Sequence, residues 1–279
     1  CRRAEEMYIN EGFAEYLSYL FLEDLYGRAR YLRDIRELHH TMVSRAHLID
    51  GGWYALSEVP QNVTYGEHSY RKGAVVIHAL RTQLGDSLFS AGFKRVLTNN
   101  AFSDMSTEEL RDSLMAATGL DLQAFFADRI TQPGWASFEV DSLFSTPDGA
   151  GWSTTVHIEQ KLRHADHLYT DVPAQLTFEG AGGERFTTSG TVLLSGAQSV
   201  VQATVPFQPV HAFIDNEGLL SLASTVVQDT LQDLGSEILD NADLTLLVNA
   251  LPAAVPIRAE EFWTAADPTT AEPFAFHVS

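Results

Sequence analysis

Cysteine is almost absent: Cys1 is the only one in 279 residues, so no disulfide can form within the chain. Basic residues are scarce. Eighteen Lys and Arg stand against 37 Asp and Glu, a net charge of −19, which argues against nucleic acid and anionic membranes as partners. The acid is spread along the chain and is expected to form a solvated surface. Adaptation to salt and a preference for cationic peptide termini are weaker readings of the same charge. No run of eighteen apolar residues occurs, so no membrane span is expected. Nor is a leader peptide visible, in a chain that does not start with Met. What remains is 45% apolar content, enough for real cores in about two domains.

The first half reads as helices. Residues 4–26 are apolar on almost every side, through Met7, Tyr8, Ile9, Phe13, Tyr16, Leu17, Leu20, Phe21, Leu22 and Leu25, the pattern of a buried helix. Glu11 lies within it, so its carboxylate is expected to be buried and to need a cation, a metal or a proton. An ion pair and a metal ligand both satisfy that requirement. Residues 29–46 return to helical period, and 49–63 carry loop chemistry in Asp50-Gly51-Gly52, Pro60 and Asn62. Residues 69–84 read as a helix with Tyr70 at its start. Asp86 reads as the N-cap of a helix to 97, Ser106 and Glu109 as a capping box with Gly119 at the far end, and Asp121 as the cap of a short helix to 127.

After Thr131-Gln132-Pro133-Gly134 the period shifts towards two. Residues 137–144, 153–162, 174–178, 185–194, 199–205 and 212–215 alternate or run apolar between turn signals. Short strands at that spacing predict a β-sandwich. The expected organisation is α+β and multidomain. Its parts are a helical part at 1–134, a β-sandwich at 135–217, and the start of a further β-rich module at 218–279, including a strand at 244–251.

Two segments carry a resemblance. Asn10 to Ala14 read N-E-G-F-A, and Tyr70 to Ala74 read Y-R-K-G-A. The pair, in this order, resembles the M1 family of zinc aminopeptidases, gluzincins related to aminopeptidase N. The resemblance implies that residues 1–134 are the C-terminal helical part of a thermolysin-like catalytic domain. It makes Glu11 the third protein ligand of a catalytic Zn2+ and Tyr70 the donor that stabilises the tetrahedral intermediate. Glu15, one turn beyond Glu11, is a candidate to orient a zinc-bound His. Tyr65 is a candidate cleft residue. Lys72 is a possible substrate contact, with a solvated lysine the plainer expectation. Thr131 to Gly134 resembles the turn that follows the family's catalytic domain, although Trp135-Ala136 replaces its Tyr-Pro. Asp171-Val172-Pro173 and Phe207-Gln208-Pro209 resemble the pattern of its small sandwich, where no catalytic group is expected.

The family's other two zinc ligands and its general base come from H-E-x-x-H, which none of the ten histidines forms. Family spacing places that motif before Cys1, so the chain is expected to begin just inside the active site and to be inactive alone. The implied substrate is a peptide with a free N-terminus. Two alternatives stay open, a metal-free scaffold of the same fold and an M1-type epoxide hydrolase with aminopeptidase activity. Because some secreted bacterial members carry an extra C-terminal module, a secreted or periplasmic setting is the expectation.

Overall fold

A computed structural model describes residues 1–214 and the backbone of 223–226. The anticipated module at 218–279, with its strand at 244–251, otherwise lies outside the described residues. Helices come first. A 3-10 helix, Ala4–Ile9, leads into α1 (Glu11–Tyr26) and α2 (Arg28–Ile49). Two 3-10 turns, Leu56–Glu58 and Gln61–Val63, precede a π-helical turn, His68–Lys72, which runs into α3 (Gly73–Leu84). Then come α4 (Asp86–Asn99), α5 (Thr107–Thr118) and α6 (Gln123–Arg129).

Eight strands follow: β1 (Trp135–Asp148), β2 (Gly151–Arg163), β3 (Val172–Ala174), β4 (Leu176–Gly180), β5 (Arg185–Thr187), β6 (Val192–Leu194), β7 (Gln198–Val205) and β8 (Pro209–Ile214). A short strand at Ala223–Val226 is also described. The long hairpin β1–β2 pairs Trp135 with Arg163 at one end and Asp148 with Gly151 at the other, and β7 adds to β2. The strands β3 and β6 pair with each other, and β4 lies between β5 and β8, all antiparallel. The architecture is α+β.

Two apolar clusters underlie this. One gathers the helices around Tyr16, Tyr31, Ile35, Leu56, Val75, Leu114 and Phe126 and ends at Trp135. The other begins at Ala136 and fills the strand region with Phe138, Val156, Leu176, Phe178 and Val205. The turn between them is fixed by its own sequence. Gln132 is buried; its Nε2 donates to Asp128 O, and its Oε1 accepts from the N–H groups of Asp166 and His167. Gly134 has φ 63, and a Cβ there would lie 2.1 Å from Arg163 O, so only glycine fits.

Several local expectations change. The single helix over 4–26 is broken at Asn10, where 3-10 geometry gives way to α1. Nor is it buried all round: Leu17, Phe21 and Leu25 are each more than half exposed. These residues recur at i, i+4 and i+8 on one stripe, while Tyr16 faces the packed side at 0% exposure. Asp86 is the first residue of α4, after Gly85 at the cap position, and its Oδ1 accepts from Arg81 Nε at 2.7 Å. The strand expected over 185–194 is two strands, parted where Thr188 turns its N–H to Leu176 O and its hydroxyl to Gly190 O. The Ser106–Glu109 capping box and the left-handed Gly119 stand as expected. Asp121 Oδ1 accepts from Gln123 N–H at the start of α6.

Candidate active site

Glu11 and Tyr70 are far apart in sequence, and two glycines bring them together. Gly12, beside Glu11, faces Gly73, three residues after Tyr70. A Cβ on Gly12 would stand 2.9 Å from Gly73 Cα and 3.0 Å from Ser69 O; one on Gly73 would stand 2.8 Å from Gly12 Cα. Real side chains do not approach backbone that closely, so the start of α1 and the start of α3 meet backbone to backbone. Each motif therefore carries its candidate residue within three positions of the glycine that makes the contact. Neither glycine was singled out by periodicity; the available signal was a lone glycine within each helical pattern.

The Glu11 carboxylate stands near enough to the Tyr70 phenol to act on its proton. Partial desolvation, the adjacent Glu11 carboxylate and the negative field of Tyr65 and Glu15 raise its pKa above the ordinary tyrosine value. Tyr70 thus keeps its proton at neutral pH and is a donor. Glu11 is half-buried, more open than the sequence suggested. Glu15 is half-buried and Tyr65 is 68% exposed. Glu11, Tyr65 and Glu15 thus all bear on the Tyr70 phenol.

Tyr70 sits in the π-helical turn, a local departure from α geometry that recurs at functional sites. The flanking residues point away from it. His68 is 1% exposed and Lys72 is 1% exposed, so the solvated lysine is corrected to a buried one. Lys72 Nζ donates to Tyr54 O at 3.0 Å and Gly134 O at 3.3 Å and lies 5.1 Å from the Trp135 ring centroid. Burial pulls its pKa down to about 7. The motif lysine ties the Tyr70 turn to the beginning of β1 and cannot reach a substrate.

Behind the site lies a polar chain through the helical core. Tyr16 OH and Tyr31 OH are 2.9 Å apart, and Tyr31 OH is 2.7 Å from His78 Nδ1. It fastens α1 and α2 to α3. Among the described residues no three His, Cys, Asp or Glu side chains gather as a metal-binding group, so Glu11 offers one carboxylate.

The model of the peptidase family M1 domain matches residues 1–129. Residues 1–129 thus resemble the peptidase family M1 domain. Over 146 residues, 49% of this chain and 18% of the relative, it is 25% identical to probable aminopeptidase 1 of Sulfurisphaera tokodaii. Identity to aminopeptidase M1 of Arabidopsis thaliana is 28% over 134 residues, 46% of this chain and 15% of the relative. The fold is similar to that of Legionella pneumophila aminopeptidase A in complex with aspartic acid, at TM-score 0.64 and 14% identity, over 89% of this chain and 28% of that one. The matched part of this chain spans less than a third of each of these relatives. Peptidase family M1 is zinc-dependent in general.

Proposed function

We propose that this chain supplies one zinc ligand, Glu11, and one oxyanion donor, Tyr70, to an M1-type aminopeptidase. The observation that carries the reading is the Glu11–Tyr70 pair, held in place by the Gly12–Gly73 contact. A zinc ion fits the accessible Glu11 carboxylate as one member of a larger donor set. The remaining protein ligands are assigned to the two His of an H-E-x-x-H motif outside this chain, which alone holds no zinc and hydrolyses nothing. Zinc, when bound, polarises the scissile carbonyl and makes water acidic enough to attack it.

The chain's own residues then have separate tasks. Glu11 brings negative charge and a fixed carboxylate. Tyr70 donates its phenolic hydrogen to the oxygen that becomes negative in the tetrahedral intermediate, an interaction worth about 3 kcal/mol in comparable sites. Glu15 orients a neighbouring histidine from the next turn of α1, and Tyr65 lines the open side. The strands of residues 135–217 act as a sandwich domain that buttresses the helical part, and the substrate is a peptide with a free N-terminus.

The test is Tyr70→Phe in the protein that carries the H-E-x-x-H motif. The expected result is a fall in kcat of about 100-fold, with KM little changed and zinc content unaltered. Loss of zinc, or undiminished kcat, sinks the assignment. In the metal-free scaffold alternative the wild-type protein binds no zinc at all.

A further inference from the structure

Tyr70 acts from a turn whose backbone needs an outside anchor. His68 and Lys72 are one turn apart on one face, and Tyr70, halfway between them, lies on the opposite face. The buried face is therefore where the direction of Tyr70 is set. Asp50, the residue that closes α2, reaches this face from the other side of a loop. Its Oδ1 accepts the Glu67 N–H at 3.0 Å and its Oδ2 accepts the His68 N–H at 2.9 Å. These are free donors at the opening of a helix, where a carboxylate is favoured. Gly66 makes room, since a Cβ there would lie 2.4 Å from Asp50 Oδ1.

His68 completes the anchor. Its Nε2 accepts the Tyr54 N–H at 3.3 Å, which leaves the ring proton on Nδ1, donated to Asp50 Oδ2 at 2.6 Å. The imidazole is thus held in one tautomer, between a carboxylate and a backbone amide, with both side chains 2% exposed. Tyr54 in turn offers its carbonyl to Lys72. Asp50, His68, Tyr54 and Lys72 form one buried polar circuit that clasps the turn on both sides of Tyr70. A helix opening could be capped by a local Ser or Asp; here the cap comes from a remote carboxylate and fixes the turn in three dimensions.

We infer that Asp50 and His68 are positioning residues for Tyr70: they hold the π-helical turn so that the phenol faces Glu11. The inference rests on the proposed role of Tyr70 for its consequence in catalysis, though not for its geometry. Asn at position 50 presents one acceptor oxygen and an amide that faces another donor, so one of the two backbone N–H groups is released.

The experiment places 3-fluorotyrosine at position 70, with a second sample labelled at buried Tyr169 as a control, and records fluorine spectra of wild type, Asp50→Asn and His68→Gln. Kinetics are measured in the zinc-loaded protein. In Asp50→Asn the position 70 resonance is expected to shift and broaden while that of position 169 stays put. In the same variant kcat should fall about ten-fold with KM changed by less than about two-fold, as misaligned reacting groups produce. His68→Gln keeps a donor for Asp50, so it should follow in the same direction and less far. If Asp50→Asn does not fold, His68→Gln carries the test alone. An unmoved position 70 signal, or equal changes at 70 and 169, overturns the inference. A moved signal at 70 together with full activity in Tyr70→Phe would leave the positioning role standing and remove the catalytic one.

Discussion

Replacing Gly12 with Ala adds a single carbon at the point where α1 and α3 touch. That carbon would lie 2.9 Å from Gly73 Cα, about 0.5 Å inside the 3.4 Å at which ordinary contact begins, with Ser69 O at 3.0 Å and Gly73 C at 3.1 Å. All three neighbours are backbone atoms, so no rotamer change relieves the clash and the two segments must separate. Overpacking of this kind costs about 1–3 kcal/mol, offset by up to about 1 kcal/mol for the better helix propensity of alanine. The net expectation is a loss of about 1–2 kcal/mol, or a fall in Tm of roughly 4 °C. Because the separation acts directly on the Glu11–Tyr70 pair, activity should drop by far more than stability, on the order of 100-fold in kcat. Urea unfolding, thermal melts and kinetics of the zinc-loaded protein supply the three readings. Gly190→Ala is the control: it has nothing within 4 Å and no positive φ, so it should change stability by less than about 0.5 kcal/mol. A Gly12→Ala protein that unfolds at the wild-type urea concentration with wild-type kcat would refute the close-contact argument.

Lys72 and Gln132 give two more tests. Burial leaves Lys72 with a pKa of about 7 when folded against 10.5 when exposed, so between those values the unfolded chain binds more protons and wild-type stability should rise with pH. Urea midpoints from pH 7 to 10 should climb relative to Lys72→Met; a constant difference means the carbonyls and the indole keep the proton on. Gln132→Ala leaves the Asp166 and His167 N–H groups and the Asp128 carbonyl without their partner, at a cost of about 2 kcal/mol. Faster hydrogen exchange at the 166 and 167 amides should accompany it, and unchanged protection there would count against the bridging role.

Local chemistry was the legible part of the sequence. The Ser106–Glu109 box is written in neighbouring residues, and the two motif segments carry Glu11 and Tyr70 in plain view. Tertiary approach was not. Nothing in the spacing of Gly12 and Gly73 says that they face each other, and the Asp50–His68 pair spans a loop whose path is set elsewhere. The apolar circumference of α1 shows that it can be buried on all sides, without saying which neighbours are present; hence the open stripe at Leu17, Phe21 and Leu25. Lys72 looked like a surface residue because charge type predicts exposure on average. Its burial depends on Tyr54 O, Gly134 O and an indole arriving from three separate segments.

The placement of Trp135 bears on how the molecule can be dissected. The turn at Gly134 reads as a seam, the natural place to cut helices from strands. Yet Trp135 is the first residue of β1 and a member of the helical apolar cluster. Cutting at the seam would remove the indole that covers Lys72 and uncover a charged group in the floor beneath Tyr70. The helical part has its last wall on the far side of the seam, so a helical piece meant to keep its shape has to take at least one residue of the strand region with it.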